Sequence, residues 1–338
     1  MRLVFVTQRV DEDDPALGAT VAKLRALAAQ LDELVVLALT AAPTDLPPNV
    51  RVRTFGGSHR AERGARLAAA LGSEVRRRPD AVVAHMAPIY AVIAAPLTRP
   101  LRVPLLLWFT HWRVSRTLRL AEFLATRVVT VERQSFPLPS TKVVPVGHGI
   151  EVPERPVAPR DDDGVLRLLA LGRTSPAKGL EPILAAVGSL GSPPVELEII
   201  GPSLTDEERR HRERLVALGA RVEAPVPRSQ VPEVYARFDA LVNNMRAGAL
   251  DKVVYEAAGV GLPVLVASTG FDPLVGGIEP PLRFQQDDAA SISDRIRGLA
   301  EVGPERRRAI GADLRARVVR DHSVGHWADA MLEAVRGC

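Results

Sequence analysis

Cysteine occurs once in the 338 residues, as the last one, Cys338. An intrachain disulfide and a thiolate metal centre are therefore excluded, and the composition fits a reducing compartment. No apolar stretch reaches the roughly 18 residues that a membrane-spanning helix needs. Several nucleotide and catalytic signatures are also missing. No G-x-G-x-x-G follows the first apolar run, and G-x-x-x-x-G-K-[ST], H-E-x-x-H and G-x-S-x-G do not occur. Dinucleotide-binding, P-loop, zinc-protease and serine-hydrolase readings lose support accordingly. Lysine is scarce as well, with Lys23, Lys142, Lys178 and Lys252 as its only four positions among 44 cationic side chains.

What is present describes a globular protein, 46% hydrophobic and 25% charged. A chain of this length has room for two domains, because single cores stop growing at roughly 250–300 residues. The N-terminal MRLVFVTQRVDEDD has too short an apolar run for a signal sequence, so a cytoplasmic location is expected. Residues 1–150 carry 20 Lys and Arg against 12 Asp and Glu, net +8, whereas the remainder is net −4. The segment with Arg60, Arg63, Arg66 and Arg76 to Arg78 reads either as a face for anionic lipid, nucleic acid or phosphorylated substrate, or as a solvated helix.

Short runs of Val, Ile and Leu alternate with helical patterns, the signature of βα units around parallel sheets buried on both faces. Seven such runs lie at 2–7, 33–39, 50–55, 81–86, 104–110, 127–132 and 142–147. A Pro- and Asp-rich stretch, 151–164, follows and reads as a linker. A second series occupies 165–172, 195–201, 221–226, 240–244 and 263–268, with 281–284 as a last short candidate. The organisation expected is a domain over 1–150, the linker, a second domain over 165–320, and a C-terminal helix, 321–338, returning to the first domain. Ligands belong near the carboxyl ends of such strands.

Three places could carry chemistry. LALGRTSPAKGLEPIL (169–184) is a strand-to-helix turn whose free amides and helix dipole, with Arg173 and Lys178, suit a diphosphate; a solvated surface turn is the alternative. LVNNMRAGALDKVVYEAAGVG (241–261) runs from a strand end into a helix with Asp251 as its expected N-cap. Glu256 inside that helix needs a partner, for which ribose hydroxyls serve, unless it is an ordinary exposed helical Glu. His85 and His111 end two strands of the first half, where imidazoles bear on ligands more often than elsewhere. Gly18, where the first loop enters a helix, could admit a ligand near the backbone or be an ordinary loop glycine.

These segments together resemble the retaining glycosyltransferases of the GT-B class, in particular glycosyltransferase family 4, over nearly the whole chain. LALGRTSPAKGLEPILAAV is similar to the GR…KG segment that grips the donor diphosphate, and VYEAAGVGLPVLVAS to the EA…GxPVVA segment. The resemblance implies an α/β fold of two facing Rossmann-like domains with a cleft between them. It implies Arg173, Lys178 and His111 as catalytic and Val226, Asp251, Lys252, Val253 and Glu256 as further donor-binding residues, with Glu256 on the ribose. Gly18 and His85 fall on the acceptor side, and VPVGHGIEV places His148 where Asn is usual. The glutamate the family often carries eight positions before Glu256 is replaced by Gly248, and Asp251-Lys252 matches a subgroup reading NKxxEYMA.

The implied reaction moves a sugar from a nucleoside-diphosphate sugar to the hydroxyl of a glycan, a lipid-linked or a small-molecule acceptor, with retained anomeric configuration. No cofactor, metal or nucleic-acid partner is called for, and membrane contact, if any, falls to the basic N-terminal half. Two alternatives stay in view: a nucleotide-sugar 2-epimerase, which would need several carboxylates at the site, and a non-catalytic nucleotide-sugar-binding subunit, to which Gly248 points.

Overall fold

Apolar runs with no helical period have both faces to bury, and they do so here as parallel strands flanked by helices. In this computed structural model, residues 1–14, 17–158, 160–192 and 194–338 are described, the side chain of Ser229 excepted. Pro15 and Ala16 of the first loop and Pro159 of the expected linker lie outside the described residues.

The chain divides into two units, Met1–Glu151 with Asp321–Cys338, and Val152–Arg320. The first contains β1 (Arg2–Val10), α1 (Ala19–Ala28), β2 (Glu33–Ala41), β3 (Val50–Thr54), α2 (Arg60–Val75) and β4 (Ala81–His85). It continues through α3 (Pro88–Thr98), β5 (Leu105–Trp108), α4 (Arg116–Leu124), β6 (Arg127–Thr130) and β7 (Val143–Pro145). These strands form one parallel sheet in the order β3-β2-β1-β4-β5-β6-β7. Phe5 of β1 registers with Val36 on one side and Val83 on the other, and all three are fully buried. The order brings the carboxyl ends of β1, β4 and β5 side by side.

The second unit contains β8 (Leu166–Leu171), α5 (Leu180–Ser189), β9 (Val195–Ile200), α6 (Asp206–Ala217), β10 (Arg221–Glu223) and α7 (Val231–Tyr235). After these come β11 (Ala240–Asn243), α8 (Lys252–Gly259), β12 (Val264–Val266), α9 (Asp272–Val275), α10 (Ala289–Glu301) and α11 (Gly303–His322), whose last two residues already belong to the first unit. Its parallel sheet has the order β10-β9-β8-β11-β12. The expected strand at 281–284 is only a bridge between Arg283 and Val266. Pro280 and Pro281 have no amide proton to give a longer ladder. Residues before Leu166 pack on this unit: Val157 N donates to Val260 O (3.0 Å), and Arg315 donates to the Glu154 carbonyl (3.0 Å).

Several of the arginines of 60–78 serve the fold. Arg63 donates to Gly57 O (2.7 Å) and Arg66 pairs with Glu62 (2.6 Å). Glu74, buried, collects Arg2, Arg53 (2.8 Å) and Arg51 (3.3 Å), which compensate a carboxylate that could not be buried alone. Arg60, Arg66 and Arg76 to Arg78 remain exposed.

The last helix, α12 (Val324–Arg336), closes the first unit. Trp327, Met331 and Leu332 are fully buried in the cluster that holds Val21, Leu24 and Trp108, and the Trp327 ring lies 4.8 Å from that of Trp108. Removing so large a buried ring leaves a cavity as well as losing apolar contact. Trp327→Ala should cost about 3–5 kcal/mol in urea unfolding; a loss below about 1 kcal/mol would mean that the helix does not support this core.

Candidate functional site

The order β9-β8-β11 puts the loops after β8 and β11 next to each other, and Arg173, Lys178 and Lys252 lie at these loops. The β8 loop turns through Pro176–Lys178 into α5, with Gly179 as N-cap at φ +56°. A Cβ on Gly179 would fall 2.4 Å from Asn244 Nδ2 and 2.7 Å from Asp287 Oδ1, so only glycine fits both the backbone and the space. Asn244 holds this turn by donating to Gly179 O (2.9 Å) and to Asp287 Oδ1 (2.8 Å). An earlier residue of the loop is fixed from the other side: Thr174 O lies 2.8 Å from His211 Nδ1, and the His211 Nε2 is 2.7 Å from Glu181 Oε1.

Lys178, anchored by this turn, forms an ion pair with Asp251 at the start of α8. Asn243 Nδ2, at the end of β11, donates to the same carboxylate oxygen (2.9 Å). Asp251 does occupy the N-cap position, but it makes no side-chain cap bond, contrary to the sequence expectation. A cation and an amide outcompete the helix amides for its oxygens. Arg173 reaches Glu208 Oε1 (3.2 Å), and both Arg173 and Lys178 line one small cavity with Gly172 and Asn243.

Lys252 opens α8, and its Nζ lies 3.4 Å from Oε1 of Glu256 one turn further in, with Arg228 4.0 Å from the same oxygen. Val253 O accepts from Tyr235 OH (3.4 Å). Burial, reinforced by the charges of Glu256 and Asp251, pushes the Tyr235 phenol well above its ordinary range and keeps it a proton donor. Val226 sits half-buried in the loop after β10. Arg173, Lys178, Asp251, Lys252 and Glu256 therefore surround the ends of two adjacent strands. Gly248 lies in the loop between β11 and α8 at φ +80°, and a Cβ added to it would meet nothing within 4 Å. Space would admit a side chain there, but the left-handed backbone disfavours one.

In the first unit the strand-end histidines differ. His85 is buried, its Nδ1 2.9 Å from Thr7 Oγ1 and its ring 4.3 Å from that of Trp108. Burial, with the nearby Lys23 charge, drives its pKa down to about 3. It is a neutral imidazole at any ordinary pH. His111 is exposed in the loop after β5, where its Nδ1 accepts from Arg113 N (3.0 Å) and its ring stacks on Trp112. Gly18 is the N-cap of α1, and a Cβ there would collide with Glu12 O at 2.4 Å; close packing of the loop on itself accounts for this glycine. His148 lies between two left-handed glycines, Gly147 and Gly149.

Sequence reasoning missed Glu208, Asn244, Asp287 and Lys23. A signal existed for the first: Thr205-x-x-Glu208 has the spacing of a capping box, and Thr205 Oγ1 accepts from Glu208 N (3.2 Å). Lys23 is buried beneath the rings of Trp108 (5.5 Å) and Trp327 (5.9 Å), a placement that only the tertiary fold creates.

Residues 174–333 match the protein family described as Glycosyl transferase-like. Similar solved structures include a glycosyltransferase from Rickettsia africae ESF-5, 12% identical, covering 99% of this chain and 98% of that one with a TM-score of 0.80. HepE of Anabaena, solved with UDP-glucose, is 17% identical over 100% of both chains with a TM-score of 0.77. Sucrose-phosphate synthase from Thermosynechococcus elongatus is 16% identical over 100% of this chain and 99% of that one, with a TM-score of 0.75. No curated protein matches the chain significantly. The fold is thus that of the GT-B glycosyltransferases, with two Rossmann-like parallel-sheet units, and the family match spans most of the second unit and reaches into α12 of the first.

The buried imidazole generates a pH prediction. His85 takes up a proton near pH 6.5 in its ordinary state but only near 3 in the folded protein, so acidification between those values favours the unfolded chain. This side chain should cost about 1.4 kcal/mol of stability per pH unit across that window. Urea unfolding at pH 7 and pH 5 should show a shallower loss for His85→Gln than for the parent; equal slopes would contradict the neutral, buried assignment.

Proposed function

We propose that the chain is a nucleoside-diphosphate-sugar-dependent glycosyltransferase that moves a sugar to an acceptor hydroxyl with retention of anomeric configuration. The observation that carries this reading is the convergence of Arg173, Lys178 and Lys252 on the carboxyl ends of β8 and β11, each cation already holding a carboxylate: Glu208, Asp251 and Glu256. A donor diphosphate offers the same cations a more highly charged partner.

In this reading Lys178 exchanges Asp251 for the departing phosphate, while Asn243 keeps the released carboxylate in place. Arg173 and Lys178 then stabilise the negative charge that develops as the glycosidic bond to the diphosphate breaks. Lys252, with the first-turn amide of Val253 that a helix leaves without an intrahelical acceptor, adds positive potential toward the phosphates. Glu256, carried on the inner turn of α8, accepts from the ribose hydroxyls, and Val226 contributes from the loop after β10. His111, exposed after β5, orients the sugar or the acceptor. His85 takes no proton in the cycle and serves the acceptor side as a rigid wall. The acceptor class that fits is a hydroxyl of a glycan, a lipid-linked glycan or a small metabolite.

Gly248 favours a second reading, in which the second unit binds a nucleotide sugar without turning it over. Its left-handed backbone at φ +80° replaces a carboxylate that would otherwise reach the sugar. Release of nucleoside diphosphate from a panel of UDP-, GDP-, ADP- and dTDP-sugars, with and without acceptors, separates the two. Turnover with one donor is expected, and Lys178→Ala should lose about 2–4 kcal/mol of transition-state stabilisation together with donor affinity. Near-normal turnover by the variant sinks the assignment of Lys178. Donor binding without turnover across a broad acceptor set establishes the binding subunit instead.

A further inference from the structure

Exposed apolar side chains are concentrated on one part of the first unit. Among the described residues, five of the nine exposed large hydrophobics fall between positions 89 and 123: Ile89, Trp112, Val114, Leu120 and Phe123. Phe123 is 67% and Trp112 57% exposed, values that a folded protein tolerates singly but seldom in company. On α4 the pattern is regular. Leu118 and Ala121 are buried, while Arg116, Arg119, Leu120 and Phe123, at i, i+3, i+4 and i+7, share the outward face. The loop before it, with Trp112, Arg113 and Val114 exposed, extends the face toward the end of β5. Thr110, just before that loop, lies 3.4 Å from Sδ of Met86, which shortly precedes α3 with its exposed first-turn Ile89.

The charge on this face has one sign. No Asp or Glu occurs between Asp80 and Glu122, whereas Arg99, Arg102, Arg113, Arg116 and Arg119 all lie in that interval and are exposed. Glu122 itself turns aside to Ser140 (2.6 Å). Arg99 rests 5.8 Å from the Phe123 ring. Cations interleaved with projecting Leu and Phe on an amphipathic helix, and Trp in the loop before it, match a bilayer interface, where the rings enter the acyl boundary and the guanidinium groups stay with the phosphates. An acidic protein or a nucleic acid would be met by the charge but would leave the aliphatic side chains without a partner.

We propose that the α4 face, with the preceding Trp112–Val114 loop, docks on the surface of an anionic phospholipid bilayer. This site differs from the Arg-rich stretch 60–78, much of which is committed to Gly57, Glu62 and Glu74. It is independent of the reaction assigned to the second unit. Among the described residues no helix is long and apolar enough to cross a membrane, so the contact is with a surface.

Vesicle co-sedimentation of the full chain tests this, using phosphatidylcholine alone and phosphatidylcholine with about 30% phosphatidylglycerol, a composition on the order of anionic cytoplasmic leaflets. Binding to the anionic vesicles only, weakened by high salt, is expected. Leu120→Ser with Phe123→Ser, and separately Arg116→Glu with Arg119→Glu, should each reduce partitioning about tenfold. Arg76→Gln with Arg78→Gln should leave it within about twofold. Fluorescence of the parent protein provides a readout without variants on the face. Trp108 and Trp327 are buried, so a blue shift on adding anionic vesicles reports Trp112. Binding to neither vesicle, equal binding to both, loss of binding through Arg76 and Arg78 instead, or parent self-association abolished by the Leu120 and Phe123 changes would each overturn the proposal. Nucleoside diphosphate release measured without vesicles in the same variants should be unchanged, which keeps this result separate from the donor-site reading.

Discussion

The ion pair between Lys178 and Asp251 joins two loops 73 residues apart in sequence, and the arrangement of the second unit turns on it. Parallel strands must return by crossover helices, so β8 and β11 become neighbours only after three intervening βα steps. Their loops then open on the same edge of the sheet. The β8 loop brings Arg173 and Lys178 and the β11 loop brings Asp251, and Asn243 and Asn244 fasten one to the other through Asp251 and through Gly179. The result is a cluster in which each cation is held in place by a carboxylate, Arg173 by Glu208, Lys178 by Asp251 and Lys252 by Glu256. Preorganisation of this kind is what charge stabilisation at a leaving group demands.

Arginine and lysine divide the work of the molecule. Arginines serve as multidentate struts: around Glu74 in the first unit, and around Glu198, where Arg237 (2.7 Å) and Arg221 (3.4 Å) converge. Their planar forks suit carboxylates held from several sides. The four lysines occupy places where a compact ammonium on a flexible stem fits better. Lys142 donates to Glu122 O (2.8 Å) and Phe123 O (3.1 Å) at the end of α4, where free carbonyls and the helix dipole attract it. Lys23 lies beneath two tryptophan rings, and Lys178 and Lys252 stand at the openings of α5 and α8.

Much of this was legible in the sequence, because period and turn chemistry are local. The twelve strands among the described residues fall where apolar runs predict them, and the overreach at 281–284 came from counting such a run without weighing Pro281 within it and Pro280 before it. The glycines of the two strand-to-helix turns, and the cations beside them, were visible for the same reason. Partnerships were not. Nothing local says that Asp251 abandons its helix amides for Lys178, that Glu208 pairs with Arg173, or that His85 is sealed beside Trp108. Those outcomes depend on which strands become neighbours. The apolar face of α4 was hidden too, since a Leu and a Phe at helical spacing read as core until burial is known.

The most direct test of the account is a structure of the chain with a nucleoside diphosphate bound. The account predicts a phosphate oxygen within hydrogen-bond reach of Lys178 Nζ and a second near Arg173, with Asp251 released from the lysine and still held by Asn243. A diphosphate bound elsewhere, or one bound while the Lys178–Asp251 pair stays closed, would contradict it.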